Sequence, residues 1–186
     1  KMMDLMGNSP YDFVMNHSET QLESLENFVH RTFNGKDFVG FIKGLQHIYQ
    51  NHNGLETVFS KENPTMQHTI SEFKQLFFEI PHLDRTEKHI SDPLNGSAAK
   101  RINMYLRWMV RKDEIDLGVW QTDLIKPKKL YAVMDTHVAQ QAQRMGLISY
   151  PKESWKAVME LTHVYRQWDA EDPLKYDFIL MTKNLK

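Results

Sequence analysis

The chain of 186 residues contains no cysteine. That excludes disulfides, zinc–thiolate centres and thiolate-bound iron–sulfur clusters, and it is compatible with a cytoplasmic protein. No apolar run approaches the roughly 18 residues that a membrane span needs, so no membrane partner is expected. Residues 1–30 lack the uninterrupted apolar core of a signal peptide. No P-loop, no G-x-G-x-x-G and no G-x-S-x-G occurs. Nucleotide hydrolysis, Rossmann-type redox chemistry and α/β-hydrolase chemistry therefore have no support. Internal repeats, low-complexity tracts and the period-2 alternation of strands are also missing.

What remains is helical. Ser18 with Gln21 makes a capping box ahead of Leu22, Leu25, Phe28 and Val29. Asp37 is placed to cap a helix with Phe38, Phe41, Ile42, Leu45, Ile48 and Tyr49 on one face, ending near Gly54. Asn63-Pro64 opens another, with Met66, Ile70, Phe73, Leu76, Phe77 and Ile80 inward and Pro81 as its stop. The polar stretch 81–96 reads as loop. Ser97 then caps a helix with Ile102, Tyr105, Leu106, Met109 and Val110 on its apolar stripe, and residues 113–129 read as irregular. Asp135 caps the next helix, Pro151 opens one through Trp168, and Asp172-Pro173 opens the last. About eight helices make an all-α fold, divided as 1–96 and 97–186 or forming one continuous two-lobed domain. Residues Lys1–Met6 read as the last turns of a helix cut at its beginning, as in a fragment of a longer protein.

The net charge of −1 carries no argument for a polyanionic partner, but its distribution does. Residues 1–99 hold 8 Lys/Arg against 13 Asp/Glu, whereas residues 100–186 hold 15 against 11. A polyanion is expected to meet the second half. Nine histidines invite a metal reading. His47 is a helical neighbour of Asn51 and His52, but no third ligand stands at a suitable spacing and no H-E-x-x-H occurs, so no metal and no cofactor is expected. Trp108, Trp155, Trp168 and Tyr165 are expected in the core, while Trp120, off any periodic face, is the aromatic best placed to stack on a base.

Two residues stand out. With Ser97 as cap, Lys100 lies in a helix's first turn, where the macrodipole disfavours its cation and favours a nucleophilic neutral amine. Its bland alternative is a solvated lysine in a basic helix. Asp135 follows the apolar stretch 130–134 and precedes Thr136-His137-Val138; it is either a plain N-cap or a carboxylate facing a groove. A turn-then-helix lysine, followed by an apolar segment ending in Asp-Thr-His-Val, resembles the helix-hairpin-helix (HhH-GPD) superfamily of base-excision DNA glycosylases. Stretches 93–112, 134–147 and 169–178, with His30-Arg31-Thr32-Phe33-Asn34, are similar to a bacterial family of uncharacterised glycosylase-like proteins. Leu94-Asn95-Gly96-Ser97 stands where superfamily members carry a glycine-rich hairpin, and the Lys100–Asp135 spacing of 35 residues is long for them.

The resemblance implies a two-lobed HhH-GPD-like helical fold, its first helices lying before Lys1, and a groove that takes an extruded nucleotide. It implies Lys100 as Schiff-base nucleophile, Asp135 as assisting carboxylate and double-stranded DNA as partner. Arg101, Arg107, Arg111, His137 and Arg144 are the candidate DNA contacts. The alternatives are a non-catalytic DNA-binding module on the same fold and a helical protein–protein adaptor. The lesion recognised and the oligomeric state are not legible.

Overall fold

A computed structural model describes residues 2–120 and 124–182. Helix accounts for 61% of the structure and strand for 3%, which makes the protein all-α. Backbone contacts divide the chain into two compact units, one formed by residues 1–58 and 72–90, the other by 59–71 and 91–186.

The first unit opens with α1 (Met2–Leu5), α2 (Pro10–Asn16) and α3 (Glu19–Leu25); Lys1 lies outside the described residues. The expected Ser18–Gln21 capping box begins α3. An unexpected hairpin follows, β1 (Val29–His30) against β2 (Phe33–Asn34), turned at Arg31 with φ +55°. Next comes α4 (Gly35–Asn51). Its cap is Asn34 and not Asp37, because the chain leaves the hairpin already aimed into the helix. Asp37 is the reciprocal member of that capping box, its carboxylate accepting from the Asn34 N–H at 3.0 Å. The same buried carboxylate accepts from Arg85 at 2.9 Å and Thr86 at 2.8 Å. Burial raises its pKa, but the Asn34, Thr86 and Arg85 donors outweigh that and hold it below the usual carboxylate range. Gly35 is required here, since a Cβ would sit 2.1 Å from the Glu26 carbonyl oxygen. Phe13, Val14, Leu22, Leu25, Phe28, Phe38 and Ile42 form the core beneath α2, α3 and α4.

A further short helix, α5 (Gly54–Ser60), appears where the sequence suggested only the end of α4, and α6 (Met66–Phe77) follows. Both contribute residues to each unit. The stretch read as loop carries 3₁₀ turns at Asp84–His89 and Pro93–Asn95.

The second unit is built on α7 (Lys100–Val110), α8 (Thr136–Arg144), α9 (Trp155–Trp168) and α10 (Asp177–Thr182). Ser97 does not cap α7. Gly96 (φ +83°) and Ala99 (φ +46°) both adopt left-handed backbone, so the helix starts only at Lys100, with the Ser97 hydroxyl accepting from the Ala99 N–H. The Asn103 amide donates to the Ala98 carbonyl and fixes this bend. α9 starts at the Ser154 cap, three residues beyond Pro151. Of the segment expected to be irregular, residues 113–120 and 124–129 carry no α-helix, and 121–123 fall outside the described residues.

Arg107 and Arg111 correct the sequence reading most sharply. They are 2% and 3% exposed, so neither is available to DNA phosphates. Arg107 donates through Nε to both Asp116 oxygens, at 3.1 and 3.0 Å, and through Nη1 to Asp177 at 3.3 Å. Arg111 donates to Asp172 at 2.7 and 2.9 Å, to Asp113 at 2.7 Å, and to Asp116. A guanidinium's fork of donors makes Arg the cation that survives burial, and only when its donors are taken up this fully. Trp120 is corrected as well. It packs edge-on to Tyr105, ring centroids 5.6 Å apart, with Phe59 on another side, and so serves the packing of the unit.

Candidate functional site

Lys100 and Asp135 meet. Their Nζ and Oδ2 atoms are 2.7 Å apart across 35 residues of sequence. Lys100 is the first residue of α7. Asp135 caps α8 with backbone in the extended region, Oδ1 accepting from the Val138 N–H at 2.9 Å. One carboxylate oxygen therefore serves the helix and the other faces the lysine. Partial burial raises the Asp135 pKa; the Lys100 ammonium and the Val138 N–H, with a smaller pull from His137, outweigh that and hold the carboxyl below its usual range. The pair is partly open to solvent, with the lysine side chain 46% and the aspartate 27% exposed.

The segment that delivers Asp135 is unusual. Leu130, Ala132, Val133 and Met134 are at most 1% exposed although they belong to no helix or strand. Buried backbone outside regular structure must find partners elsewhere. The Ala132 N–H donates to the Thr162 hydroxyl at 3.0 Å, and the Val133 N–H donates to Asp177 at 3.2 Å. Side chains from α9 and α10 thus replace a sheet neighbour and hold the chain straight up to the cap.

Lys100 and Asp135 open onto a cavity of about 550 Å³ lined also by Met104, His137, Val138, Gln140, Gln141 and Arg144. That lies within the size range of small-molecule sites. Lys100 and Asp135 stand at the N-terminal ends of α7 and α8, so the field beside that pair favours negative charge. His137 and Arg144, two of the expected DNA contacts, line this cavity and are exposed, and Arg101 beside Lys100 is exposed too. Met104, Gln140 and Gln141 were not anticipated as lining. They follow from helical spacing once the walls are known, since Met104 stands one turn beyond Lys100 on α7.

Sequence reasoning also missed Glu79. Just past the end of α6, it places its carboxylate 3.0 Å from His47 and 3.4 Å from His52. The third partner that sequence spacing could not supply for the two histidines is therefore present, 32 residues from His47. No local signal could have pointed to it.

Among the described residues, no helix is long and apolar enough to cross a membrane. No curated protein and no solved structure matches the chain significantly. One protein family matches it over its whole length, residues 1–186, and the chain belongs to that family, described as a protein of unknown function, DUF2400.

Proposed function

We propose that the protein is a DNA base-excision glycosylase with lyase-type chemistry, using Lys100 as Schiff-base nucleophile and Asp135 as assisting carboxylate. The observation that carries this reading is the 2.7 Å Lys100–Asp135 contact at the mouth of a 550 Å³ cavity. A surface ion pair worth little for stability is a weak reason to bring a lysine and a capping aspartate together. A nucleophile paired with the group that takes its proton is a strong one.

In this mechanism an extruded nucleotide enters the cavity with its sugar toward the pair. The C1′–N bond breaks, and its electron pair leaves with the base. Ionised Asp135 stabilises the positive charge that develops on the sugar. A Lys100 proton passes to Asp135, and the freed nitrogen lone pair forms the C1′–N bond of the adduct. Arg101, His137 and Arg144 supply positive charge for the flanking phosphates. The fold reading that accompanies this function is an HhH-GPD-like helical domain. Ahead of α7, where the superfamily carries a glycine-rich hairpin, this chain has a turn with left-handed backbone at Gly96 and Ala99 and a single glycine, which departs from the superfamily pattern.

The test is borohydride trapping of the full chain on abasic, oxidised, deaminated and alkylated duplexes. Wild type forms a covalent adduct. Lys100→Gln abolishes it while leaving DNA affinity nearly intact. Asp135→Asn slows base release and leaves melting nearly unchanged, because asparagine caps a helix about as well as aspartate. Absence of a wild-type adduct on every duplex refutes the catalytic reading and leaves a non-catalytic DNA-binding module.

A further inference from the structure

His47 lies in the last turns of α4, His52 is that helix's C-terminal cap, and Glu79 stands in the turn after α6. Three potential donor atoms form a triangle. His47 Nε2 is 3.0 Å from Glu79 Oε2, His52 Nε2 is 3.4 Å from the same oxygen, and the two Nε2 atoms are 3.2 Å apart. From this geometry we infer that His47, His52 and Glu79 form a binding site for a divalent first-row transition cation of the zinc type.

Protons alone satisfy such a triangle poorly. Each neutral imidazole carries one ring proton and the carboxylate carries none, so Nε2 of each ring can offer at most one hydrogen. If both donate to Glu79, the two N–H groups face each other across 3.2 Å. If one donates to the other ring, one contact with Glu79 is left without a hydrogen. A cation at the centre satisfies all three groups through their lone pairs. The size agrees: ligands about 2.0–2.1 Å from a metal lie about 3.0–3.4 Å from one another in octahedral or tetrahedral arrangement, which is the observed spread.

The chemistry of the donors selects the ion. Two imidazoles and one carboxylate suit zinc and its neighbours, whereas calcium and magnesium take oxygen ligands. The helix end contributes as well, because the last carbonyls of the 17-residue α4 point toward its C-terminus and favour positive charge there. With three protein ligands at least one coordination position stays open to water or a small ligand. Asn51 meets His47 from the other side, its amide nitrogen 3.1 Å from Nδ1. When the metal takes Nε2, the ring proton moves to Nδ1, and Asn51 turns its amide oxygen to accept it. The cation would then tie the end of α4 to the turn after α6 within the first unit.

The experiment is calorimetric titration of chelator-treated full chain with Zn²⁺, with Mg²⁺ and Ca²⁺ as separate arms. Visible absorption with Co²⁺ reports nitrogen coordination. Wild type binds one Zn²⁺ saturably, its melting temperature rises, and Mg²⁺ and Ca²⁺ give no saturable binding. His52→Ala and Glu79→Gln each weaken Zn²⁺ binding by at least about tenfold, the lower end of what loss of even an outer partner costs. His163→Ala, on α9, leaves binding unchanged. Glu79 is half exposed, so Glu79→Gln keeps the protein folded and the test readable even if a histidine variant unfolds. No Zn²⁺ binding by the folded wild type overturns the proposal, and so does binding indifferent to Glu79→Gln and His52→Ala. Neither result touches Lys100, so the outcome is separate from that of the trapping experiment.

Discussion

Asp177 is fully buried and accepts from both Arg107 and the Val133 N–H. Its Oδ1 has no hydrogen-bond partner among the described residues. Burial pushes its pKa up, and the Asp116 carboxylate adds to this. Arg107 and the Val133 N–H pull the other way, but the balance leaves it at about 7, against an ordinary 3.8. A carboxyl whose folded-state pKa is raised keeps its full stability contribution below the unfolded value. That contribution is lost as pH rises through the folded value. The window is therefore pH 4 to 7, and at about 1.4 kcal/mol per pH unit the loss has a ceiling of about 4 kcal/mol. Asp177→Asn removes the titration and keeps an oxygen for Val133. The assay is urea unfolding of both proteins at several pH values. Wild type loses stability relative to Asp177→Asn between pH 4 and 7, by an amount approaching that ceiling, and the difference is flat below and above. The comparison isolates Asp177, because the lowered carboxylates Asp37, Asp113, Asp135 and Asp169 act in both proteins, mainly below pH 4. His82, raised by its bond to the Ile80 carbonyl, also cancels. A pH-independent difference refutes the reasoning and means that the guanidinium keeps Asp177 ionised throughout.

Charge reversal at Arg107 should unfold the protein at room temperature, seen as lost near-UV circular dichroism. It leaves Asp116 and Asp177 buried beside a new anion, and loss of one partner from a buried pair already costs about 3–5 kcal/mol. If Arg107→Glu stays folded and only binds DNA less well, the surface reading of this arginine is right after all. Gly35→Ala should cost about 1–3 kcal/mol or more in urea melts, since the atoms it meets are backbone of Leu25 and Glu26 and cannot swing away. Arg101→Glu with Arg144→Glu should weaken duplex binding alike for all sequences and flatten the plot of log affinity against log salt by about 1 per residue. Unchanged salt dependence removes both from the DNA contacts.

The sequence was most legible where structure is local. The Ser18 capping box and the Asp135 cap depend on groups three residues apart, and both formed as read. Ser97 failed as a cap because left-handed backbone at Gly96 and Ala99, invisible to helix periodicity, delays the start of α7 by two residues. Arg107 and Arg111 sit four apart on a helix and read as a solvated basic face. Asp113 and Asp116 stand close by in sequence, but Asp172 and Asp177, which complete the cluster, lie 61 and 70 residues away, so only tertiary structure could show that the face is inside. The expected apolar stripe of α7 is correspondingly mixed, with Asn103, Leu106 and Arg107 as its buried positions. Glu79 was hidden from His47 for the same reason. Lys100 and Asp135 each read more simply as a surface lysine and a cap. It was the resemblance that singled out the two together, and the structure places them in contact.

Their contact rests on the buried ionic cluster of the same unit. Lys100 is fixed by the start of α7, and two turns along that helix Arg107 is bound to Asp177. Asp135 is fixed by the end of the buried stretch 130–134, and two residues before it the Val133 N–H is bound to the same Asp177 oxygen. One carboxylate oxygen on α10 thus ties together the two chain segments that carry the pair. An apolar core of equal volume would serve stability as well or better, because buried charges pay desolvation that their attraction barely returns. What apolar packing supplies less well is angle and register: hydrogen bonds from a guanidinium and from a backbone N–H to one oxygen define both segments against a common point. The cluster is therefore best understood as a frame for the Lys100–Asp135 distance, set in a unit whose fully buried residues include Leu106, Leu161 and Leu174.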